Sequence, residues 1–210
     1  MSKRISSPLY AILDVDCTVS SGLAPLDVLD QWLGAGVSLV QLRAKTLAGG
    51  DLLAIAEEAV ARCRAAGAMC IINDRADVAA MAGASGVHVG QDDLSAQDAR
   101  RVVGPGAWVG VSTHTDEQLA AACREPIDYV AIGPVFSTST KHQPDPVVGL
   151  EGVRRAAPVA RAAGLPLVAI GGITLASAPA VLAAGADAVA VISDLLAGDP
   201  AVRARQYLAV

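Results

Sequence analysis

The stretch VSLVQLRAKTLAGGDLLAIAEEAVARCRAAGAMCIIND, residues 37–74, decides the fold, because two short apolar runs in it enclose one helical pattern. The runs at 37–42 and 68–72 are almost uniformly apolar, as expected of parallel strands covered on both faces. Between them, residues 51–67 repeat apolar side chains at helical spacing, with Asp51 as the expected N-cap and Gly67 as the expected stop. The stretch predicts one strand, helix, strand unit of a parallel sheet.

Similar apolar runs recur along the whole chain and alternate with stretches of helical period. The other six are LYAIL (9–13), GVHV (86–89), AWVGV (107–111), DYVAI (128–132), PLVAI (166–170) and DAVAVI (187–192). Eight such strands predict an α/β fold, a single (β/α)8 TIM barrel with its active site at the C-terminal ends of the strands. An open doubly wound sheet is the main alternative, but it normally has a Gly-rich turn after the first strand, where this chain reads DVDCTVSSG.

Composition limits the kind of protein this is. We expect residues 1–210 to form one domain, with residues 1–8 as a short, flexible N-terminal segment. The net charge of −5 argues against nucleic acid or an anionic membrane as partner, so any phosphate binding must be built locally. No run approaches the ~20 apolar residues of a membrane span. The four cysteines lack CxxC spacing, which favours a reduced cytoplasmic protein without a zinc site.

In a barrel, the residues after each strand converge on one face, so these positions predict the site. After the second strand, alternation places Gln41, Arg43 and Lys45 on the same side, which brings an amide and two cations together. A solvated loop with unrelated charges is the alternative.

Acidic residues follow the third and fourth strands. Asp74 comes after Asn73 at one strand end, and Asp92 and Asp93 follow the next. Oxygen ligands without Cys or His suit Mg²⁺, completed by water and substrate phosphate. The alternative is that Asp93 caps the helix after it. His88, inside the fourth strand, is expected to be a core histidine with satisfied hydrogen bonds.

The fifth strand ends in GVSTHT, with Ser112 and His114 on one face. No acid is spaced to orient this pair, so a hydrolytic nucleophile is disfavoured, and Ser112 is expected to contact a polar substrate.

Anion-binding groups follow the last three strands. The long loop 133–152 contains Thr138, Ser139, Thr140 and Lys141, and it is either a lid over the site or a flexible insertion. Gly172 follows the seventh strand, Ile192 and Ser193 follow the eighth, and these two loops form the usual phosphate site of the fold. A cationic, metal-binding half and a phosphate-binding half together imply two phosphorylated small-molecule substrates.

The motifs QLRAK, INDRADVA, GVHVGQDDL, GVSTHT, GPVFSTSTK and AIGGIT occur in the order and spacing of the thiamine-phosphate synthase family, which the chain resembles from Leu9 to about Leu196. The resemblance implies a transferase of thiamine biosynthesis. It would couple 4-amino-2-methyl-5-(diphosphooxymethyl)pyrimidine with 4-methyl-5-(2-phosphooxyethyl)thiazole and release diphosphate. The implied chemistry is dissociative, with Mg²⁺ as cofactor.

The resemblance also implies roles for individual residues. Asp74 and Asp93 would bind Mg²⁺, and the catalytic residues would be Arg43, Lys45, Ser112 and Lys141. The pyrimidine diphosphate would contact Gln41, Leu42, Arg43, Ala44, Lys45, Asn73, Ser112 and Lys141. The thiazole phosphate would contact Thr138, Ser139, Thr140, Gly172, Ile192 and Ser193.

Two alternatives of the same fold remain. A thiazole tautomerase resembles the synthase but tends to lack the acidic metal positions and the TxTK loop, both of which are present here. A non-catalytic barrel that binds thiamine precursors would not need cations to neutralise a departing diphosphate. The chain departs from the family at Ala44, where an acidic residue is common, and in the composition of the loop 142–148.

Overall fold

A computed structural model describes residues 4–138 and 145–210 of the chain. Eight parallel strands follow one another around a closed barrel, and the last pairs with the first, so the predicted TIM barrel is confirmed. The strands are β1 (Leu9–Asp14), β2 (Leu39–Arg43), β3 (Met69–Asn73), β4 (Gly86–Val89), β5 (Trp108–Thr113), β6 (Tyr129–Ile132), β7 (Leu167–Ile170) and β8 (Ala188–Val191).

Helices connect the strands and cover the outside of the barrel. They are α1 (Val15–Ser20), α2 (Pro25–Gly34), α3 (Gly49–Ala65), α4 (Ala76–Met81), α5 (Ala96–Val103), α6 (Asp116–Ala122), α7 (Gly149–Ala162), α8 (Ala178–Ala183) and α9 (Pro200–Leu208). A single 3-10 turn, Ser193–Leu196, follows β8.

The helix predicted over residues 51–67 begins earlier than the sequence suggested. Ala48 is its N-cap, so the prediction that Asp51 caps the helix is wrong. Asp51 instead lies in the first turn, where a carboxylate interacts favourably with the helix dipole. Gly67 follows the helix at φ 71°, as predicted, because glycine adopts the left-handed conformation without a Cβ clash.

Two cores hold the fold together. The larger lies between the sheet and the helices and includes Trp32 of α2 and Leu42 of β2. The smaller fills the barrel interior, with members from six strands: Tyr10, Ile12, Leu39, Ile71, Tyr129, Ala131, Val168 and Ala190. Buried Gln41 and His88 also belong to the strands that enclose this interior, so its upper layers are polar. The interior therefore supplies both packing and a polar floor for the mouth above it.

One interior glycine makes this floor possible. A Cβ on Gly110 of β5 would lie 2.0 Å from Cζ of Tyr129, far inside van der Waals contact. The Tyr129 ring therefore occupies the space that any side chain at position 110 would need. Tyr129 also stacks on His88, with the ring centroids 5.5 Å apart.

All four cysteines are free thiols, and Cys63 and Cys70 are buried. Within residues 4–138 and 145–210, none of the helices combines the length and the apolar character needed to cross a membrane.

Candidate active site

A cavity of about 460 Å³ opens at the C-terminal ends of the strands, on the face where the sequence predicts the site. Side chains from all eight strands or the loops after them contribute to it, since the parallel barrel brings these ends together. The predicted residues that line it are Gln41, Arg43, Lys45, Asn73, Asp74, Asp93, Ser112, Thr138 and Ile192. The alternation argument for residues 41, 43 and 45 is confirmed.

Arg43 is held by a carboxylate that the sequence analysis missed. Asp14, at the end of β1, is in register with Arg43 and forms an ion pair with it. The other carboxylate oxygen of Asp14 caps α1 by accepting a hydrogen bond of 2.8 Å from the backbone N–H of Cys17 in its first turn. The sequence could have indicated this ion pair, because β1 ends in an acid and the neighbouring strand β2 ends in arginine.

Lys45 lies at the rim and forms an ion pair with Asp74. Its backbone N–H donates to Asp16 of α1 at 3.2 Å, and the Thr46 hydroxyl also donates to Asp16. The loop after β2 is therefore connected to α1, which holds the backbone of Lys45 at the rim of the cavity.

Asp74 and Asp93 lie in contact, as the predicted metal pair requires. Burial raises the pKa of Asp74, the Lys45 ammonium lowers it, and the nearby Asp93 carboxylate raises it further. Asp74 has a left-handed backbone, φ 61°, and its N–H donates to the His88 carbonyl at 2.7 Å. One Asp93 oxygen accepts from the Gly90 N–H at 2.8 Å.

The alternative role for Asp93 as a helix cap is wrong. Ser95 is the N-cap of α5, and its hydroxyl accepts from the backbone N–H of Asp98. Asp92 and Asp93 are both exposed and both line the cavity, but Asp93 is the one that interacts with the Asp74 side chain. Asp93 is thus the member of the pair that faces Asp74.

The two carboxylates fit a divalent cation that keeps most of its ligands from water and substrate. Among residues 4–138 and 145–210, no group of three or more His, Cys, Asp and Glu side chains comes together as a preformed metal cage. Two oxygen donors are the usual protein contribution to Mg²⁺ beside a phosphorylated substrate. The like charges of Asp74 and Asp93 also favour a cation between them.

A chain of hydrogen bonds lies under the cavity, and most of it was missed. The Gln41 amide nitrogen donates to the Tyr10 hydroxyl at 3.0 Å, and Tyr10 and Tyr129 hydroxyls are 2.9 Å apart. The Tyr129 hydroxyl lies 2.9 Å from Nδ1 of His88, and Nε2 of His88 lies 2.8 Å from the Ser112 hydroxyl. The expected core histidine is confirmed, yet it also contacts a predicted site residue.

A nucleophilic role for Ser112 stays disfavoured on this geometry. His88, not His114, is its histidine partner. Burial lowers the pKa of His88 to about 4, and the Asp93 carboxylate opposes this shift. A ring of that pKa is a weak base, and a tyrosine rather than an acid orients it. His114 instead bonds the Gly133 carbonyl through Nδ1, at 2.6 Å.

The loops after β7 and β8 complete the cavity on its other side. Gly172 has φ 63°, and a Cβ there would lie 2.4 Å from the Ser137 carbonyl oxygen, so glycine is required by close packing. Gly171, next to it, lines the cavity, and Ser193 begins the 3-10 turn directly after Ile192. Asp194 accepts from the Leu175 N–H at 3.0 Å, which connects the two loops.

Some predicted contacts cannot be made by side chains facing the cavity. Leu42 is buried in the outer core, and Ala44 packs against that core. Any contact of these two residues with substrate would therefore involve the backbone. Ser139, Thr140 and Lys141 lie outside the described residues, and so does the middle of the expected lid.

Comparisons with known proteins show the family of this chain. The family model for thiamine monophosphate synthase matches residues 9–195. The chain is 49% identical to the thiamine-phosphate synthase of Koribacter versatilis, over 79% of this chain and 78% of the relative. It is 40% identical to that of Chlorobium luteolum, over 82% and 77% of the two chains.

A solved structure gives the same result. The thiamine phosphate pyrophosphorylase of Pyrococcus furiosus superposes with a TM-score of 0.84 at 28% identity, covering 95% of this chain and 92% of that one. The match of the family model extends from the first residue of β1 to the turn after β8, and so includes every strand of the barrel. The chain belongs to the thiamine monophosphate synthase family.

Proposed function

We propose that this protein is a thiamine-phosphate synthase, a transferase that joins the aminopyrimidine diphosphate to the thiazole phosphate and releases diphosphate. The observation that supports this most directly is that one cavity has two chemically different halves. Arg43, Lys45 and the contacting carboxylates Asp74 and Asp93 form one half, and the loops after β6, β7 and β8 form the other.

In this proposal the diphosphate binds at the cationic half. Arg43 is oriented by Asp14, so its guanidinium reaches the leaving group without further reordering. Lys45, now paired with Asp74, would shift toward the diphosphate when a metal ion neutralises that carboxylate. Asn73 and Lys141 would add contacts, and the pyrimidine ring would lie between Gln41 and Ser112.

The thiazole phosphate is assigned to the opposite loops. Thr138, Ser139 and Thr140 would offer hydroxyls, and Gly172, Ile192 and Ser193 would offer backbone N–H groups or hydroxyls. The tight turn at Gly172 supports this assignment, because it brings the loop after β7 against the loop after β6.

Mg²⁺ held by Asp74 and Asp93 would supply positive charge that stabilises the departing diphosphate. The protein residues do the rest. Arg43, Lys45 and Lys141 neutralise the leaving group, the cavity walls keep water from the carbocation of the pyrimidine, and the thiazole nitrogen captures that cation. The mechanism needs no strong base, in agreement with the low pKa of His88.

The alternatives are disfavoured by specific features. A thiazole tautomerase has no use for two contacting carboxylates beside Arg43 and Lys45. A binding protein without catalysis has no need to neutralise a departing diphosphate. Both substrates are small and phosphorylated, which agrees with the cytoplasmic location expected from the sequence.

Turnover with both substrates and Mg²⁺ tests the proposal. We expect diphosphate release only when the pyrimidine diphosphate, the thiazole phosphate and Mg²⁺ are all present, with one thiamine phosphate formed per diphosphate. Three reactions that each omit one component are the controls. Rearrangement of the thiazole without diphosphate release would indicate a tautomerase, and binding of both substrates without any product would indicate a non-catalytic barrel.

A further inference from the structure

The hydrogen-bond chain under the cavity has a direction. Tyr10 is buried, and its hydroxyl oxygen already accepts from the Gln41 amide nitrogen. A hydroxyl has one proton, and the acceptor in reach of the Tyr10 proton among the described residues is the Tyr129 hydroxyl. Tyr10 therefore donates to Tyr129.

The remaining donors follow from this first step. Because the Tyr129 oxygen accepts from Tyr10, its own proton points to Nδ1 of His88. A neutral imidazole whose Nδ1 accepts a hydrogen bond has its proton on Nε2. His88 therefore donates to the Ser112 oxygen through Nε2. The Ser112 proton is left to point into the cavity, which Ser112 lines.

At the other end of the chain, the Gln41 amide is equally constrained. Its nitrogen donates to the Tyr10 hydroxyl, and its carbonyl oxygen accepts from no donor among the described residues. Because Gln41 lines the cavity, this oxygen is an acceptor for a ligand. The cavity thus presents an acceptor from β2 and a donor from β5. Turning the Gln41 amide over would require every bond in the chain to reverse, which would make Ser112 an acceptor.

We propose that Tyr10, Tyr129 and His88 are positioning residues that couple the amide orientation of Gln41 to the hydroxyl orientation of Ser112 and so determine which pyrimidine the site accepts. This inference rests on the proposed function. It deepens that function by assigning specificity for the ring to three residues that need not touch the substrate.

The coupling selects a ring with a donor facing Gln41 and an acceptor facing Ser112. A 4-aminopyrimidine offers both, through its exocyclic amine and a ring nitrogen. Its 4-oxo counterpart places an acceptor against the Gln41 carbonyl. The oxo compound is a lactam with a proton on a ring nitrogen, so it offers an acceptor to Gln41 and a donor to Ser112. It therefore fits the site only if Gln41 turns over and every bond of the chain reverses with it.

Replacing Tyr129 with Phe tests the coupling, because it removes the hydroxyl that joins the two halves of the chain and keeps the ring. The ligands are 4-amino-2-methyl-5-(phosphooxymethyl)pyrimidine and its 4-oxo counterpart, which lack the diphosphate leaving group. Their Kd values are measured by calorimetry. The control is Thr113→Val, which removes a buried hydroxyl of the neighbouring strand β5. That hydroxyl donates to the Ala131 carbonyl and is not part of the hydrogen-bond chain.

We expect the native protein to bind the amino compound on the order of 100-fold more tightly than the oxo compound. In Tyr129→Phe this ratio should fall to about tenfold or less, because Gln41 can turn over independently. Thr113→Val should keep the native ratio. A Tyr129→Phe protein that weakens both ligands equally would overturn the proposal, since a purely structural role predicts that result. Failure of the native protein to bind either compound would overturn the proposed function instead.

A measurement on the native protein decides the direction of the chain without any variant or ligand. Long-range proton–nitrogen NMR correlations distinguish the two neutral tautomers of a histidine ring. We expect His88 to be protonated on Nε2 at neutral pH. Protonation on Nδ1 would mean that the chain runs from Ser112 toward Gln41, and the proposal would be wrong.

Discussion

Asp14 and Arg43 are direct neighbours in the register of β1 and β2, and they form an ion pair in which the carboxylate is 2% exposed and the guanidinium 19% exposed. The acid has a second fixed partner in the backbone N–H of Cys17. Because the carboxylate cannot turn toward water, it sets the position of the arginine at the cavity. Asp14 is therefore a positioning residue for Arg43.

Replacing Asp14 with Asn should slow diphosphate release by about 10- to 100-fold, since Arg43 would lose its orienting partner at the leaving group. Steady-state kinetics with both substrates measures this. Asp30→Asn is the matched control, because Asp30 forms an exposed ion pair with Arg62 that should contribute little. Equal activity of the two variants would contradict the role of Asp14.

Replacing Asp93 with Ala should reduce turnover by roughly two orders of magnitude at saturating Mg²⁺, as expected if the residue contributes about 3 kcal/mol to the transition state. Asp92→Ala removes the adjacent carboxylate, which does not interact with Asp74, and should have a much smaller effect. Mg²⁺ affinity of the native protein should also rise when the pyrimidine diphosphate is present. Near-normal turnover of the Asp93 variant would remove this residue from the metal site.

Replacing Gly110 with Ala should destabilise the protein by about 1–3 kcal/mol, because the new Cβ overlaps the ring of Tyr129. Urea denaturation measures the free energy of unfolding. Gly50→Ala, in α3, is the control, and it should stabilise the protein slightly. Nothing lies within 4 Å of its Cβ position, and Ala stabilises a helix relative to Gly. A Gly110 variant as stable as the native protein would contradict the packing of Tyr129 described above.

Stability should fall as the pH is lowered from 6.5 to about 4. The pKa of His88 is lowered from 6.5 to about 4 in the folded protein, so the unfolded chain binds more protons throughout this window. Neutral His88 therefore contributes about 3 kcal/mol to the free energy of unfolding above pH 6.5, and this contribution is lost by about pH 4. Subtracting the stability profile of His88→Asn from that of the native protein separates the effect of His88 from the titration of the carboxylates. Identical profiles would contradict the low pKa.

The barrel and much of the cavity lining could be predicted because both depend on local patterns. Uniformly apolar runs identify parallel strands, and alternation alone places Gln41, Arg43 and Lys45 on one side. The order of the strands then brings their polar ends together.

The missed features depend on contacts between distant parts of the chain. Tyr10 and Tyr129 are 119 residues apart, and only the closed barrel makes their hydroxyls neighbours. The ion pair of Asp14 depends in the same way on the register between β1 and β2. The helix cap assigned to Asp51 was wrong because α3 begins earlier, at Gly49, than the charged residue suggested.

The left-handed backbone of Asp74 affects how this position can be studied by mutagenesis. Outside glycine, Asp and Asn are the residues that best tolerate φ near 61°. One position must therefore satisfy both the geometry of a turn and the charge of a ligand. Alanine would disturb the two together, whereas asparagine keeps the turn and removes only the charge. Among substitutions here, Asp74→Asn is the one whose kinetic effect can be attributed to chemistry rather than to folding.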